Sequence, residues 1–162
     1  GVQTCALPIC DADEQRALDA GQSTMRIEHD AAHGEHLRVV RATEEGERGF
    51  AAFYRVIWNA HVQEFSDLSP AQRQHCMEAV ACVEQVLRAQ LAPTKVNLAS
   101  LGNMVAHVHW HVVARFDWDS HFPAPVWAVP QRARAYEREA EVAAQLPAVE
   151  TLLRQQLESW AA

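Results

Sequence analysis

No window of the sequence approaches the ~18 consecutive apolar residues of a membrane-spanning helix, and no basic start followed by an apolar centre marks a secretory signal. A membrane partner is not expected. Cysteine is scarce, limited to Cys5, Cys10, Cys76 and Cys82. Cys76 and Cys82 stand six apart in a helical pattern, so they point in different directions and do not pair. Nothing suggests a disulfide framework, and the default expectation is a reducing cytoplasm. Positive charge is short as well, with 14 Lys and Arg against 21 Asp and Glu and a formal net charge of -7. The basic residues are scattered rather than striped, which argues against long nucleic acid. A small nucleotide needs only a few local donors and stays open. The six glycines build no Walker-type or Rossmann phosphate loop, and no internal repeat is visible.

What is present fits one domain. At 162 residues, 49% hydrophobic and 22% charged, the chain has the composition of a globular protein with a real core. Residues 1–10 resemble translated sequencing-adapter read-through or a disordered terminus and are set apart from the fold. Residues 11–23 suggest a weak helix broken at Gly21, and Thr24 to Glu28 a short strand. His29 to Glu35 reads as a turn around Gly34, with His29, His33 and His36 as solvated loop histidines. Leu37–Arg41 and Phe53–Trp58 read as a hairpin across an acidic loop. Ser69-Pro70-Ala71-Gln72 is a strong helix start, combining an N-cap, a proline at the first position and a capping-box glutamine. Cys76, Val80, Val83, Leu87 and Leu91 then recur every three or four residues, one apolar stripe ending near Ala92-Pro93.

Lys95–Ala99 forms a third strand, followed by a turn centred on Gly102. Residues 117–130 are irregular, and Trp118, His121 and Trp127 in that stretch are candidates for core, dimer contact or lid. Arg132 to Ala162 is helical in composition, with a break expected at Pro147, and reads as a solvated or dimer-facing appendage. Strands, one helix and more strands without βαβ alternation point to an α+β domain on an antiparallel sheet. The expected organisation is a domain over residues 11–130 and a helical extension over 131–162.

The chemistry concentrates in His107-Val108-His109-Trp110-His111-Val112-Val113. Successive side chains of a strand face opposite ways, so the three histidines share one face and Trp110 the other. Neighbouring imidazoles stand roughly 6–7 Å apart. Neutral imidazole is available near pH 7 as a nucleophile toward phosphorus, and its neighbours can donate to developing charge. Two other readings stay open. The row could be the polar face of an edge strand, or it could hold a metal such as zinc, which takes three or four nitrogen or sulfur ligands.

These residues resemble the signature of the histidine triad (HIT) family, in which three histidines alternate with hydrophobic residues. Gly102 stands five residues before the first triad histidine, as in the family's Gly-Gln-Ser/Thr lead-in. The stretch Val56 to His61 resembles the strand that brings a further histidine to the site. More narrowly, Trp58 to Val62, Lys95 to Asn103 and His121 to Trp127 look like a bacterial branch related to diadenosine tetraphosphate hydrolases. The resemblance implies an α+β meander with about five antiparallel strands, commonly a homodimer. It also implies hydrolysis or transfer at the α-phosphate of dinucleoside polyphosphates or nucleoside phosphoramidates. His109 would be the nucleophile, His111 would orient it, and His107 would contact phosphate or leaving group. Asn97, Gly102, Asn103 and His61 would line the phosphate site, and Glu44 would hold the ribose. No cofactor or protein-bound metal is implied; at most a divalent metal accompanies the nucleotide. The lead-in departs from the pattern, because Met104 lacks the hydroxyl that relatives offer the leaving group. That departure keeps a non-catalytic nucleotide-binding module as the alternative, beside a metal-dependent hydrolase using the three histidines.

Overall fold

The computed structural model describes residues 30–34, 36–42 and 49–158. Five strands form one antiparallel sheet: β1 (Asp30–His33), β2 (Leu37–Arg41), β3 (Phe53–Trp58), β4 (Lys95–Ala99) and β5 (His109–Arg115), in the order β1-β2-β3-β5-β4. Two long helices join them, α1 (Pro70–Leu91) and α2 (Tyr136–Glu158). The α+β class, the hairpin of β2 and β3, and α1 all stand where the residue pattern puts them. Ser69 accepts from the Gln72 N–H at 3.3 Å while the Gln72 side chain accepts from the Ser69 N–H at 2.8 Å, which completes the capping box. At the other end Ala92 takes a left-handed conformation and closes the helix on the Arg88 carbonyl.

Strand alternation gives the sheet two unlike faces. Val39, Tyr54, Val56, Trp58, Val112 and Ala114 face the helices. The apolar stripe of α1 meets them there, and Cys76, Val80, Val83, Leu87 and Leu91 are all buried. Burying each Val or Leu side chain contributes ~1.5–3 kcal/mol, so this layer carries most of the fold's stability. Cys76 and Cys82 are free, buried thiols in it, and burial pushes Cys76 up to about 11.

Three expectations change. Residues 30–33 are not a turn but an edge strand, paired with β2 across an irregular step between Asp30 and Ala32. The pairing is made by distant parts of the chain. The Gly34 N–H donates to the Leu37 carbonyl at 2.8 Å, Asn59 donates its side-chain amide to the Gly34 carbonyl at 3.0 Å, and Ala31 and Ala32 are buried. A stretch with two histidines and a glycine shows none of this locally.

The C-terminal segment is one helix that runs through Pro147, with no break there. Proline inside a helix costs ~3 kcal/mol, but Val142, Leu146, Val149, Leu153 and Leu157 on both sides of it are buried, which offsets the loss. Nor is α2 a solvated appendage. Its apolar stripe joins the same core as α1, and Glu150 pairs with Arg41 of β2 at 3.0 Å while accepting from the Tyr54 hydroxyl at 3.5 Å. Cys5, Cys10, His29, Glu44 and the segments before residue 30 lie outside the described residues.

Candidate active site

The second face of the sheet is built from the opposite parity of the same strands. Phe53, Arg55 and Ile57 of β3 stand across from Val113, His111 and His109 of β5, and Ala99 and Asn97 of β4 stand across from His111 and Val113. No helix of the described residues covers this face; residues 117–135 run over part of it. His107 precedes the β5 ladder, but Val108 is pinned by main-chain bonds to Val62 and Trp58, which carries the row back onto the sheet.

All three histidines are buried, at 2–3% exposure. Burial penalises the charged ring, so each is held neutral. Burial pulls His107 down to about 4 against the opposing hydrogen bond to Trp58, and pulls His111 down to about 3 with help from His109 and the Arg55 guanidinium. His109 is lowered by burial as well, against a hydrogen bond to the His107 carbonyl.

The hydrogen bonds fix the tautomers. His107 donates Nε2–H to the Trp58 carbonyl at 2.6 Å. Its Nδ1 is then the acceptor, and His61 Nδ1, 3.3 Å away, is the donor, the two ring planes lying within 11° of parallel. His109 donates Nδ1–H to the His107 carbonyl at 2.7 Å. A neutral ring with its proton on Nδ1 carries its lone pair on Nε2, so His109 is a nucleophile or acceptor by construction. His111 packs edge-on to His109 at 4.9 Å, to Phe53 at 5.4 Å and to Trp127 at 5.6 Å between ring centroids. Its Nδ1 is buried with no hydrogen-bond partner among the described residues.

Beside His111 a cavity of about 600 Å³ opens between β4 and the segment Pro123–Trp127. Asn97, Ala99, Val113, Pro123 and Trp127 line it together with His111. The volume suits a drug-sized or nucleoside-sized group.

The structure brings together most of the residues singled out in the sequence. His61 meets His107, Asn97 lines the cavity, and Trp110 faces the helix side against Phe65. Gly102 has a φ of +105°, which L side chains rarely adopt, so the turn before the row requires glycine. Asn103 and Met104 are exposed in that turn. His36 stacks on Trp58, and His121 packs against Phe50 and Ser120; neither joins the row. Trp118 stacks on Phe116, so of the two loop tryptophans Trp127 is the one at the cavity.

Two arginines were not anticipated. Arg55 is buried on the histidine face, where an arginine at the inward position of an otherwise apolar strand was the available signal. Arg115, 1% exposed, makes a two-pronged bond to Asp119 (Nε to Oδ2 at 2.7 Å, Nη2 to Oδ1 at 2.9 Å). Burial pushes the Asp119 carboxyl up, but the guanidinium and the His121 and Phe116 N–H groups outweigh it and hold the carboxyl low.

Among the described residues no cluster of three or more His, Cys, Asp or Glu side chains is arranged to hold a metal ion, and no helix is long and apolar enough to cross a membrane.

The comparisons with known proteins agree with this architecture. Residues 39–118, which contain the three histidines, match the family model of the HIT domain. A histidine triad protein of Bradyrhizobium japonicum superposes with a TM-score of 0.59 at 24% identity, covering 79% of this chain and 89% of that one. A histidine triad protein of Marinobacter aquaeolei gives 0.59 at 21% identity, covering 85% and 95%. A hypothetical histidine triad nucleotide-binding protein of Sulfolobus tokodaii gives 0.52 at 13% identity, covering 81% and 84%. These likenesses show the fold. No curated protein matches the chain.

Proposed function

We propose that this protein is a nucleotide hydrolase or transferase that attacks the α-phosphorus of a dinucleoside polyphosphate or a nucleoside phosphoramidate with His109. The observation that carries the reading is the 2.7 Å bond from His109 Nδ1 to the His107 carbonyl, which leaves the lone pair on Nε2 of a ring held neutral by burial. In the first step Nε2 forms a bond to phosphorus, and the phosphorus–oxygen or phosphorus–nitrogen bond to the leaving group breaks with its electron pair, the leaving group taking up a proton. In the second step water attacks the same phosphorus, the Nε2–phosphorus bond breaks, and the nucleoside monophosphate leaves. The neutral rings on either side, His107 and His111, supply fixed dipoles without competing charge. The nucleotide binding named for the Sulfolobus neighbour supports the substrate class. The local motifs around His61, Asn97 and Trp127 support the diadenosine tetraphosphate branch.

Met104, 60% exposed where relatives carry a hydroxyl, favours a second reading as a nucleotide-binding module that does not turn over. The metal-dependent alternative has less support, since the one ring lone pair that His107 keeps, on Nδ1, accepts from His61 at 3.3 Å. We also propose a cytoplasmic homodimer, for which the open edge of β4 with exposed Leu98 and Leu101 offers the surface.

A brief incubation with labelled diadenosine tetraphosphate, followed by adduct mapping under alkaline conditions, tests the mechanism. An adenylyl group on His109 is expected. An adduct on another residue, or tight binding without any turnover, overturns it.

A further inference from the structure

Arg115 reaches three different parts of the molecule from one buried position. Besides Asp119, its Nη2 donates to the Ala124 carbonyl at 2.9 Å, and its Nη1 donates to Asn97 Oδ1 at 2.8 Å. Asp119 in turn accepts from the main-chain N–H groups of Phe116, His121 and Phe122, at 3.2, 3.0 and 2.7 Å. The guanidinium therefore ties β4 and β5 to the start of the segment that ends at Trp127.

Guanidinium has five donors and no acceptor, so only the carbonyl end of the Asn97 amide can face it. The orientation of this asparagine is settled by chemistry rather than by choice. Its Nδ2 end, with two N–H donors, is left for the cavity that Asn97 lines beside His111. Among the described residues no group accepts from it. A pair of donors on a cavity wall, next to an imidazole held neutral, complements an acceptor oxygen carrying negative charge.

We infer that Arg115 is a positioning residue, which fixes the Asn97 amide with its NH2 group toward the cavity to bind a phosphate oxygen of the substrate, and which couples that amide through Asp119 to the loop bearing Trp127. The inference rests on the nucleotide reading above and adds to it the device that sets the polarity of the wall. Asn97→Asp is the decisive substitution. Aspartate keeps a partner for Arg115 and nearly the same shape, yet turns the cavity-facing atom from donor to acceptor.

The test is titration of the full chain, labelled with nitrogen-15, with AMP and with inorganic phosphate. The side-chain NH2 signals of Asn97 are expected to move on saturation. Asn97→Asp is expected to weaken AMP binding at least about tenfold, the worth of one hydrogen bond to a charged group, while melting no lower than wild type. Arg115→Lys, which cannot form the fork, is expected to raise KM for diadenosine tetraphosphate about tenfold with kcat within about threefold, because the His109 tautomer is set elsewhere. If Arg115→Lys fails to fold, the Asn97 signals and Asn97→Asp still decide. Asn97 signals that stay fixed while main-chain signals from Gly102 to His107 move, or unweakened binding by Asn97→Asp, overturn the inference and leave the nucleotide reading intact. Absence of any shift with either ligand, together with absence of turnover, overturns the nucleotide reading and the inference with it.

Discussion

His109 donates Nδ1–H to the carbonyl of His107, two residues back in the chain and just outside the strand, at 2.7 Å. The bond leaves Nε2 unprotonated, and burial keeps it so at lower pH than a free histidine allows. The groups that bear on this ring are His107 just before β5, His111 on β5 and Arg55 on β3, the last lowering it further. With the pKa moved down, the acid limb of kcat/KM is expected below the ordinary histidine value of ~6.5, and the rate is flat from there to pH 8. A pH–rate profile checks this. His109→Ala is expected to lose at least ~10³-fold in kcat with an unchanged circular dichroism spectrum.

Stability carries its own pH signature. His107 and His111 titrate at about 4 and about 3 in the folded state, against ~6.5 when unfolded. Between these limits the unfolded chain binds more protons than the native one, so stability rises with pH in that window. It is fully present above ~6.5 and is lost as pH falls toward about 4, at up to ~1.4 kcal/mol per pH unit for each histidine. Urea denaturation at pH 7.5 and pH 5 is expected to show the loss. His107→Gln is expected to flatten part of it.

Removing Glu150 should separate fold from chemistry. Its carboxylate is buried between Arg41 and Tyr54, on the face away from the histidines. Glu150→Ala strands the Tyr54 hydroxyl and lowers stability by ~1–3 kcal/mol. Activity per folded molecule is expected to stay at the wild-type level, as measured below the melting transition.

Trp127→Ala is expected to do the reverse. The indole packs edge-on against His111 but is 39% exposed, so its loss costs the fold little. It opens one wall of the cavity, and KM for a substrate with an aromatic group there is expected to rise about tenfold. Comparison with an adenosine phosphoramidate bearing no ring on its amine checks the effect.

Much of this was legible in the residues because local signals and tertiary structure agree. Ser69, Pro70 and Gln72 define the start of α1, the stripe from Cys76 to Leu91 its buried face, and the alternation of His107, His109 and His111 their common face. Where they disagree, the chain alone misleads. Asp30–His33 becomes a strand because β2 and α2 receive it, although nothing in its composition favours one. Pro147 reads as a helix break, yet the apolar residues on either side bury too much surface to let the helix part. Arg115 and Asp119 sit four apart in a stretch with no helical pattern, so their fork shows only once the chain turns at Phe116. The Asn97 amide follows from the same fork, since its orientation is dictated by a donor 18 residues away.

Both helices lie on one side of the sheet, and this division of labour has a practical outcome. Of loop 117–135 only Trp118 packs on the hydrophobic layer; the rest is tied down by polar contacts, the Arg115 fork and Arg132 on the Asp117 and Asp119 carbonyls among them. Grafting different sequences between Phe122 and Gln131 would retune which leaving groups are accepted while the melting temperature stays nearly constant.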